Sequence, residues 1–230
     1  MLILALFLLL LSSCVLVIGV LHLYKQQTTR IKECASSYHP SRRRQGHIEP
    51  RTFPKNQLSQ AERDLFLRLH NQSRLQNGAD PLSWDERLAD SAQAYADLLW
   101  SEDCAIHHPE TSADDKKYLQ DGLDGQNLSQ FVYDGAHRPV GSIQKAVRLW
   151  TDECYQFDPA RPTENGVGHF TQLIWKDTKQ LGCAYRELAR SDKTASIYVC
   201  HYHKSGNWLT STGGLDRFRQ NVQDAPVCTA

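Results

Sequence analysis

The sequence lacks net charge: 26 lysines and arginines face 26 aspartates and glutamates over 230 residues. That balance gives no support to a nucleic-acid partner, whose phosphates call for a basic surface. No unit recurs at a fixed period, and no glycine-rich phosphate loop is present. Repeat architectures and nucleotide-binding folds therefore find no footing. His-Glu-x-x-His and Gly-x-Ser-x-Gly are also missing, which removes two common hydrolase signatures.

Charge is absent from the first 21 residues, Met1 to Leu21, which are almost wholly apolar. This is long enough to span a bilayer as a helix. It is longer than a usual signal-peptide core and lacks a small-x-small cleavage site. The segment reads as a signal anchor or a signal peptide, with the anchor favoured. Lys25, Arg30 and Lys32 follow it, and by the positive-inside rule they would hold the rest of the chain in the cytosol. The cysteines argue the other way. Cys14 lies in the apolar run, and six remain beyond it: Cys34, Cys104, Cys154, Cys183, Cys200 and Cys228. An even number after a targeting segment points to disulfides and an oxidising compartment. The expected location is extracellular or the lumen of the secretory pathway, membrane-anchored or secreted. Asn71-Gln-Ser73 and Asn127-Leu-Ser129 fit the glycosylation tripeptide, which decides nothing by itself.

The charge that is present is unevenly placed. Residues 1–57 hold eight Lys and Arg against two acids, so the remainder carries a net −6. Residues 22–57 have Pro40, Pro50 and Pro54 and no apolar period, and read as a basic flexible stem. Arg42-Arg43-Arg44 within it is a solvated charge run or a processing site. The domain proper is expected over 58–225, with 226–230 as a tail.

Ser59 with Glu62 makes a capping box. Leu65, Leu69 and Leu75 follow as an apolar stripe, and Asn77-Gly78 stops the helix. Pro81 to Asp85 leads into a second helix, where Leu88, Ala92, Ala96 and Leu99 mark one buried face. A third is expected over about 142–155, through Ile143, Ala146, Val147 and Trp150. Phe170–Trp175, Leu181–Arg186 and Ser196–Tyr202 read as strands between polar turns. Helices followed by an antiparallel group imply an α+β layered domain.

Two stretches carry a resemblance. Gly168-His-Phe-Thr-Gln-Leu-Ile-Trp-Lys-Asp-Thr178 resembles the first signature of the CAP superfamily: cysteine-rich secretory proteins, antigen 5 and plant pathogenesis-related proteins. Ile197-Tyr-Val-Cys-His-Tyr-His-Lys-Ser-Gly-Asn-Trp208 resembles the second, with Lys204 departing from it. Pro81-Leu82-x-Trp84 and Gly182-Cys183-Ala184 also look like family landmarks. Gly206–Val222 and His107-His108-Pro109-Glu110 look most like the Golgi-associated plant pathogenesis-related branch. The resemblance implies a three-layer α–β–α sandwich of the CAP type, with an antiparallel central sheet and a large cleft.

The family's cleft holds two histidines and two acids. Carried over, the histidines are His107 and His169, and one acid is Glu153. His108 is the neighbouring alternative to His107, but the Pro109-Glu110 spacing favours His107. The second acid falls at Gln126, because the family's Gly-Glu-Asn-Leu is here Gly125-Gln126-Asn127-Leu128. Gln126 hydrogen-bonds but carries no charge. The resemblance implies a weakly bound zinc or other divalent cation on His107 and His169, and no organic cofactor. Cys183 and Cys200 sit on neighbouring expected strands, within disulfide reach, as the matching family cysteines do. Cys104 with Cys154, and Cys34 with Cys228, are expected among the fifteen connectivities open to six cysteines.

Three functions compete. The first is a non-enzymatic protein binding a sterol or other apolar lipid, covered by a loop over Ser129–Gly141 that carries Phe131, Val132 and Tyr133. The second is a secreted signalling or defence protein acting on a protein partner. The third is a metal-dependent hydrolase with Glu153 as base.

Overall fold

The computed structural model describes residues 56–101, 106–108, 124–135, 137, 139–189, 193–209 and 215–228. The apolar segment 1–21, the stem as far as residue 55, the arginine triplet, Cys34 and Cys104 lie outside them. Among the described residues no helix is long and apolar enough to cross a membrane.

Helix α1 runs Gln60–Gln76 and opens on the expected capping box, Ser59 and Glu62 each satisfying the other's backbone. The expected leucine stripe forms only part of its buried face: Leu65 and Leu69 pack half-buried against the core. Phe66, His70, Ser73 and Arg74 face inward, while Leu75 is 78 % exposed. Polar side chains can line a buried face where the interior supplies partners, and here it does. Strand β1 (Ser83–Trp84) leads into α2 (Glu86–Ser101), whose expected face of Leu88, Ala92, Ala96 and Leu99 is buried. Strand β2 (Asp124–Asp134) precedes α3 (Ser142–Asp152), which ends in a 3-10 turn, Glu153–Gln156. Ile143, Ala146, Val147 and Trp150 are buried on α3 as expected.

Two expectations fail here. Phe170–Trp175 is not a strand: Gly168–Leu173 forms a short helix, α4, with Phe170 to Leu173 all buried. A short run buried on every side has no period to tell helix from strand. Phe131, Val132 and Tyr133 are not on a covering loop either, for they belong to β2. Phe131 is buried against Tyr133 and Tyr198, and Lys145 of α3 stands 4.5 Å over its ring.

Strand β3 (Gln180–Ala189) and β4 (Lys193–His203) complete a sheet in the order β1-β3-β4-β2. β4 pairs antiparallel with both neighbours, but β1 runs parallel to β3, so the sheet is mixed rather than purely antiparallel. Alternation along β4 divides the core into two layers. Ile197 and Val199 join Tyr95, Ala96 and Leu99 of α2 on one face. Tyr198, Cys200 and Tyr202 join Phe66, Trp150 and Phe170 on the other. The last helix, α5 (Asp216–Asn221), buries Phe218 edge-on against Trp175. The result is the expected three-layer sandwich.

Cys183 faces Cys200 across β3 and β4, and the two are bonded. The other described disulfide corrects both remaining pairings: Cys154 joins Cys228, tying the C-terminal segment to the turn after α3. Val227 N–H donates to Asn77 Oδ1 at 2.9 Å beside it. Neither glycosylation tripeptide offers a loose asparagine. Asn71 lies within α1, its amide bridging to the backbone of Leu82 at both atoms. Asn127 is buried and donates to His169 O.

One glycine sets how close the α2 layer comes. A Cβ on Gly182 of β3 would lie 2.1 Å from Ala89 N and 2.4 Å from Leu88 C. Both are helix backbone and cannot swing aside. Gly182→Ala is expected to cost about 3 kcal/mol by forcing helix and sheet apart. Urea unfolding measures this, and a loss under about 0.5 kcal/mol would mean that the layers separate freely.

Candidate functional site

The cleft lies where β2, the start of α4 and the segment after β4 meet. Its volume is about 460 Å³, and His108, Gln126, His169, Gln172 and Asn207 are among the residues lining it.

His169 is the second residue of α4, and Glu153 fixes it. One oxygen of Glu153 accepts from His169 Nδ1 at 2.6 Å. The other accepts from the backbone N–H groups of His169 and Phe170, at 2.9 and 3.0 Å. A carboxylate is well placed there, because the first N–H groups of a helix have no partner within it. Trp150 stacks on the imidazole, with ring centroids 6.3 Å apart. Glu153 therefore stands behind His169 and orients it, with both oxygens committed.

The second cleft histidine is His108, not His107. His108 Nδ1 lies 2.9 Å from Gln126 Oε1, and its ring is 6.0 Å from that of His169. Burial against these neighbours pulls its pKa below the ordinary imidazole value, opposed by the bond to Gln126. His107 turns instead toward α2: its ring meets Tyr95 edge-on, and its carbonyl accepts from the Tyr95 hydroxyl at 2.7 Å. Of the two adjacent rings only His108 lines the cleft.

Behind Gln126 stands His201. Gln126 Nε2 is 3.0 Å from His201 Nε2, and His201 Nδ1 is 2.8 Å from Ser91 Oγ of α2. Full burial drives the pKa of His201 down to about 3. Next along β2, Asn127 faces the opposite layer and donates to His169 O. Tyr202 and His70 are bonded at 2.9 Å in that layer, and burial lowers His70 to about 4. Asp124, also lining the cleft, takes His203 Nδ1 at 2.8 Å and Arg87 at 3.5 Å. Buried Gln172 accepts from Gly206 N at 2.6 Å and holds the far wall. Gln172 and His201 sit inside the two signature stretches, which do not say what either side chain does, and no motif announces Asp124.

The donor set does not make a three-ligand zinc site. Among the described residues no group of three or more His, Cys, Asp or Glu is arranged to hold a metal ion. Glu153 is spent on His169 and the start of α4, and the second acid is an amide. Nor, among the described residues, does a serine, threonine or cysteine side chain hydrogen-bond His108 or His169 to serve as nucleophile.

The model of the Cysteine-rich secretory protein family (CAP) matches residues 67–202. Pathogenesis-related protein 1 of Arabidopsis thaliana is 33 % identical over 145 residues, covering 63 % of this chain and 77 % of that protein. Venom allergen 5 of Tityus serrulatus is 31 % identical over 169 residues, covering 65 % of this chain and 39 % of that protein. Among solved structures, the crystal structure of MpPR-1i is 19 % identical with a TM-score of 0.49, covering 69 % of this chain and 98 % of that one. With the family model spanning more than half of its length, the chain belongs to the CAP family of cysteine-rich secretory proteins, of the pathogenesis-related 1 and venom allergen type.

Proposed function

We propose that this is a non-enzymatic binding protein acting outside the cytosol, and that its cleft receives the polar end of an amphipathic lipid such as a sterol. The observation that carries this reading is a polar floor, with exposed apolar side chains within two residues of its lining residues along the chain. His108, Gln126, His169 and Asn207 line the cleft. Ile106, just before the histidine pair, is 38 % exposed, and Trp208 and Leu209, just after Asn207, are 39 and 43 % exposed. A polar head with an apolar body matches both. Two disulfides and a family of secretory proteins support an oxidising compartment. The reading needs no metal.

Lipid extraction and mass spectrometry of the protein as expressed tests it directly. An amphipathic lipid with a single polar head is expected to be retained. Trp208→Ala should weaken its binding roughly tenfold, the effect of losing about 1.5 kcal/mol of apolar contact. Recovery of no lipid, with Trp208→Ala indistinguishable from the wild type, refutes the reading and favours a protein partner.

A further inference from the structure

We propose that Ser91, buried in α2, sets through Gln126 which nitrogen of His108 faces the cleft, and that the cleft therefore takes a hydrogen-bond donor: a hydroxyl head rather than a carboxylate. The ligand half rests on the lipid reading above; the chain of hydrogen bonds does not.

The chain has four links: His108 to Gln126 at 2.9 Å, Gln126 to His201 at 3.0 Å, His201 to Ser91 at 2.8 Å, and Ser91 to Leu88 O at 2.9 Å. Its direction follows from one proton. Leu88 O is a carbonyl and can only accept, so Ser91 spends its single hydroxyl proton there. Ser91 Oγ must then accept from His201, which puts the His201 proton on Nδ1. His201 is fully buried and neutral, so its Nε2 is bare. Only the amide nitrogen of Gln126 can donate to that atom. Gln126 Oε1 is thereby turned to His108 and accepts from His108 Nδ1–H. In neutral His108 the remaining nitrogen, Nε2, carries a lone pair.

The opposite direction fails at the far end. If Gln126 turned its amide nitrogen to His108, His201 would carry its proton on Nε2 and draw the Ser91 proton to Nδ1. Ser91 Oγ and Leu88 O would then stand 2.9 Å apart with no proton between them. The glutamate that the family places here could not sustain the chain either. A carboxylate accepts on both sides, so His201 would have to turn its proton outward.

The consequence reaches the ligand. His108 offers an acceptor, across from His169 whose Nδ1 is engaged by Glu153. Among the described residues no lysine or arginine lines the cleft, and the one carboxylate that does is Asp124. An anionic head would meet a lone pair and, among the described lining residues, no lysine or arginine, whereas a hydroxyl donates to His108 Nε2.

The test uses the full-length protein with 15N-labelled histidines at pH 8, read by long-range 1H–15N correlation. His201 and His108 are expected as Nδ1–H tautomers in the wild type. Gln126→Glu should turn His201 to Nε2–H, and Ser91→Ala should leave His108 a mixture of tautomers in a spectrum otherwise that of the folded domain. A wild-type His201 carrying its proton on Nε2, or a His108 unmoved by both variants, overturns the chain. Octan-1-ol and octanoate are then titrated in parallel. An upfield shift of His108 Nε2 with the alcohol alone supports the ligand class, and a shift with octanoate overturns it. If neither compound perturbs the protein, the lipid reading falls together with the ligand half, while intact tautomers show that the chain itself stands.

Discussion

Replacing Arg74 with methionine is expected to cost the domain about 5 kcal/mol, enough to unfold much of it at ambient temperature. Arg74 is fully buried on α1. Its guanidinium donates to four backbone carbonyls: Asp80 at 2.7 Å, Leu173 at 2.9 Å, Trp175 at 2.8 Å and Thr178 at 2.9 Å. These lie at the turn before β1 and at the end of α4, where helical carbonyls have run out of partners. Burial, opposed by Tyr202 and Asp80, lowers the Arg74 pKa to about 10, and carbonyl dipoles surround the charge. Methionine fills the space of the stem and strands the carbonyls, each at about 1 to 3 kcal/mol. Arg74→Lys brings three donors from a single point to acceptors spread around a planar fork, and should recover less than half. Urea unfolding followed by tryptophan fluorescence decides it. A loss below about 1 kcal/mol for Arg74→Met would mean that water replaces the guanidinium freely.

The second large effect is acid lability. In the unfolded chain histidine takes a proton near pH 6.5. In the folded domain burial delays this to about 4 for His70 and about 3 for His201. Between those values the unfolded state binds more protons, so stability is lost as pH falls below 6.5. Each such histidine contributes about 1.4 kcal/mol per pH unit, and the pair should remove about 4 kcal/mol between pH 7 and pH 5. The side chains are well matched to neutrality. His70 Nδ1 donates to Phe66 O at 2.7 Å, leaving Nε2 to accept from Tyr202. A protonated ring would turn a second N–H toward the Tyr202 hydroxyl, whose own proton then lacks that acceptor. Denaturant titrations at pH 7, 6 and 5 measure the slope, and His70→Gln should roughly halve it. A slope near zero in the wild type would show that both rings reach water before they titrate.

Much of what could be read locally was read correctly, the strand expected over Phe170–Trp175 excepted. The capping box at Ser59 and Glu62 lies within four residues, so sequence spacing contains all of its geometry. The faces of α2 and α3 follow from helical period alone, because their cores are apolar. Cys183–Cys200 was legible because two strands joined by a short polar loop are neighbours. α1 broke the pattern: a rule that sorts apolar from polar cannot see that Arg74 and His70 find partners inside. β2 escaped because Asp, Gly, Gln and Asn open it, and these are poor strand formers. Its pairing with β4, from Asp124 opposite His203 to Asp134 opposite Lys193, overrides that preference.

The sequence by itself determined the family, the α+β layering, the cleft members Gln126 and His169, and Glu153 as a partner residue, since family residues sit at fixed spacing along the chain. Only the tertiary structure decided the rest. His108 rather than His107 enters the cleft because the two adjacent side chains leave the backbone in different directions, His107 toward Tyr95. Cys228 reaches Cys154 because the final segment folds back past Asn77. Gln126 works with His201 and Ser91 because β2 pairs with β4, Gln126 opposite His201, and α2 packs on that face of the sheet. Each of these depends on which elements become neighbours, and chain spacing carries no record of that.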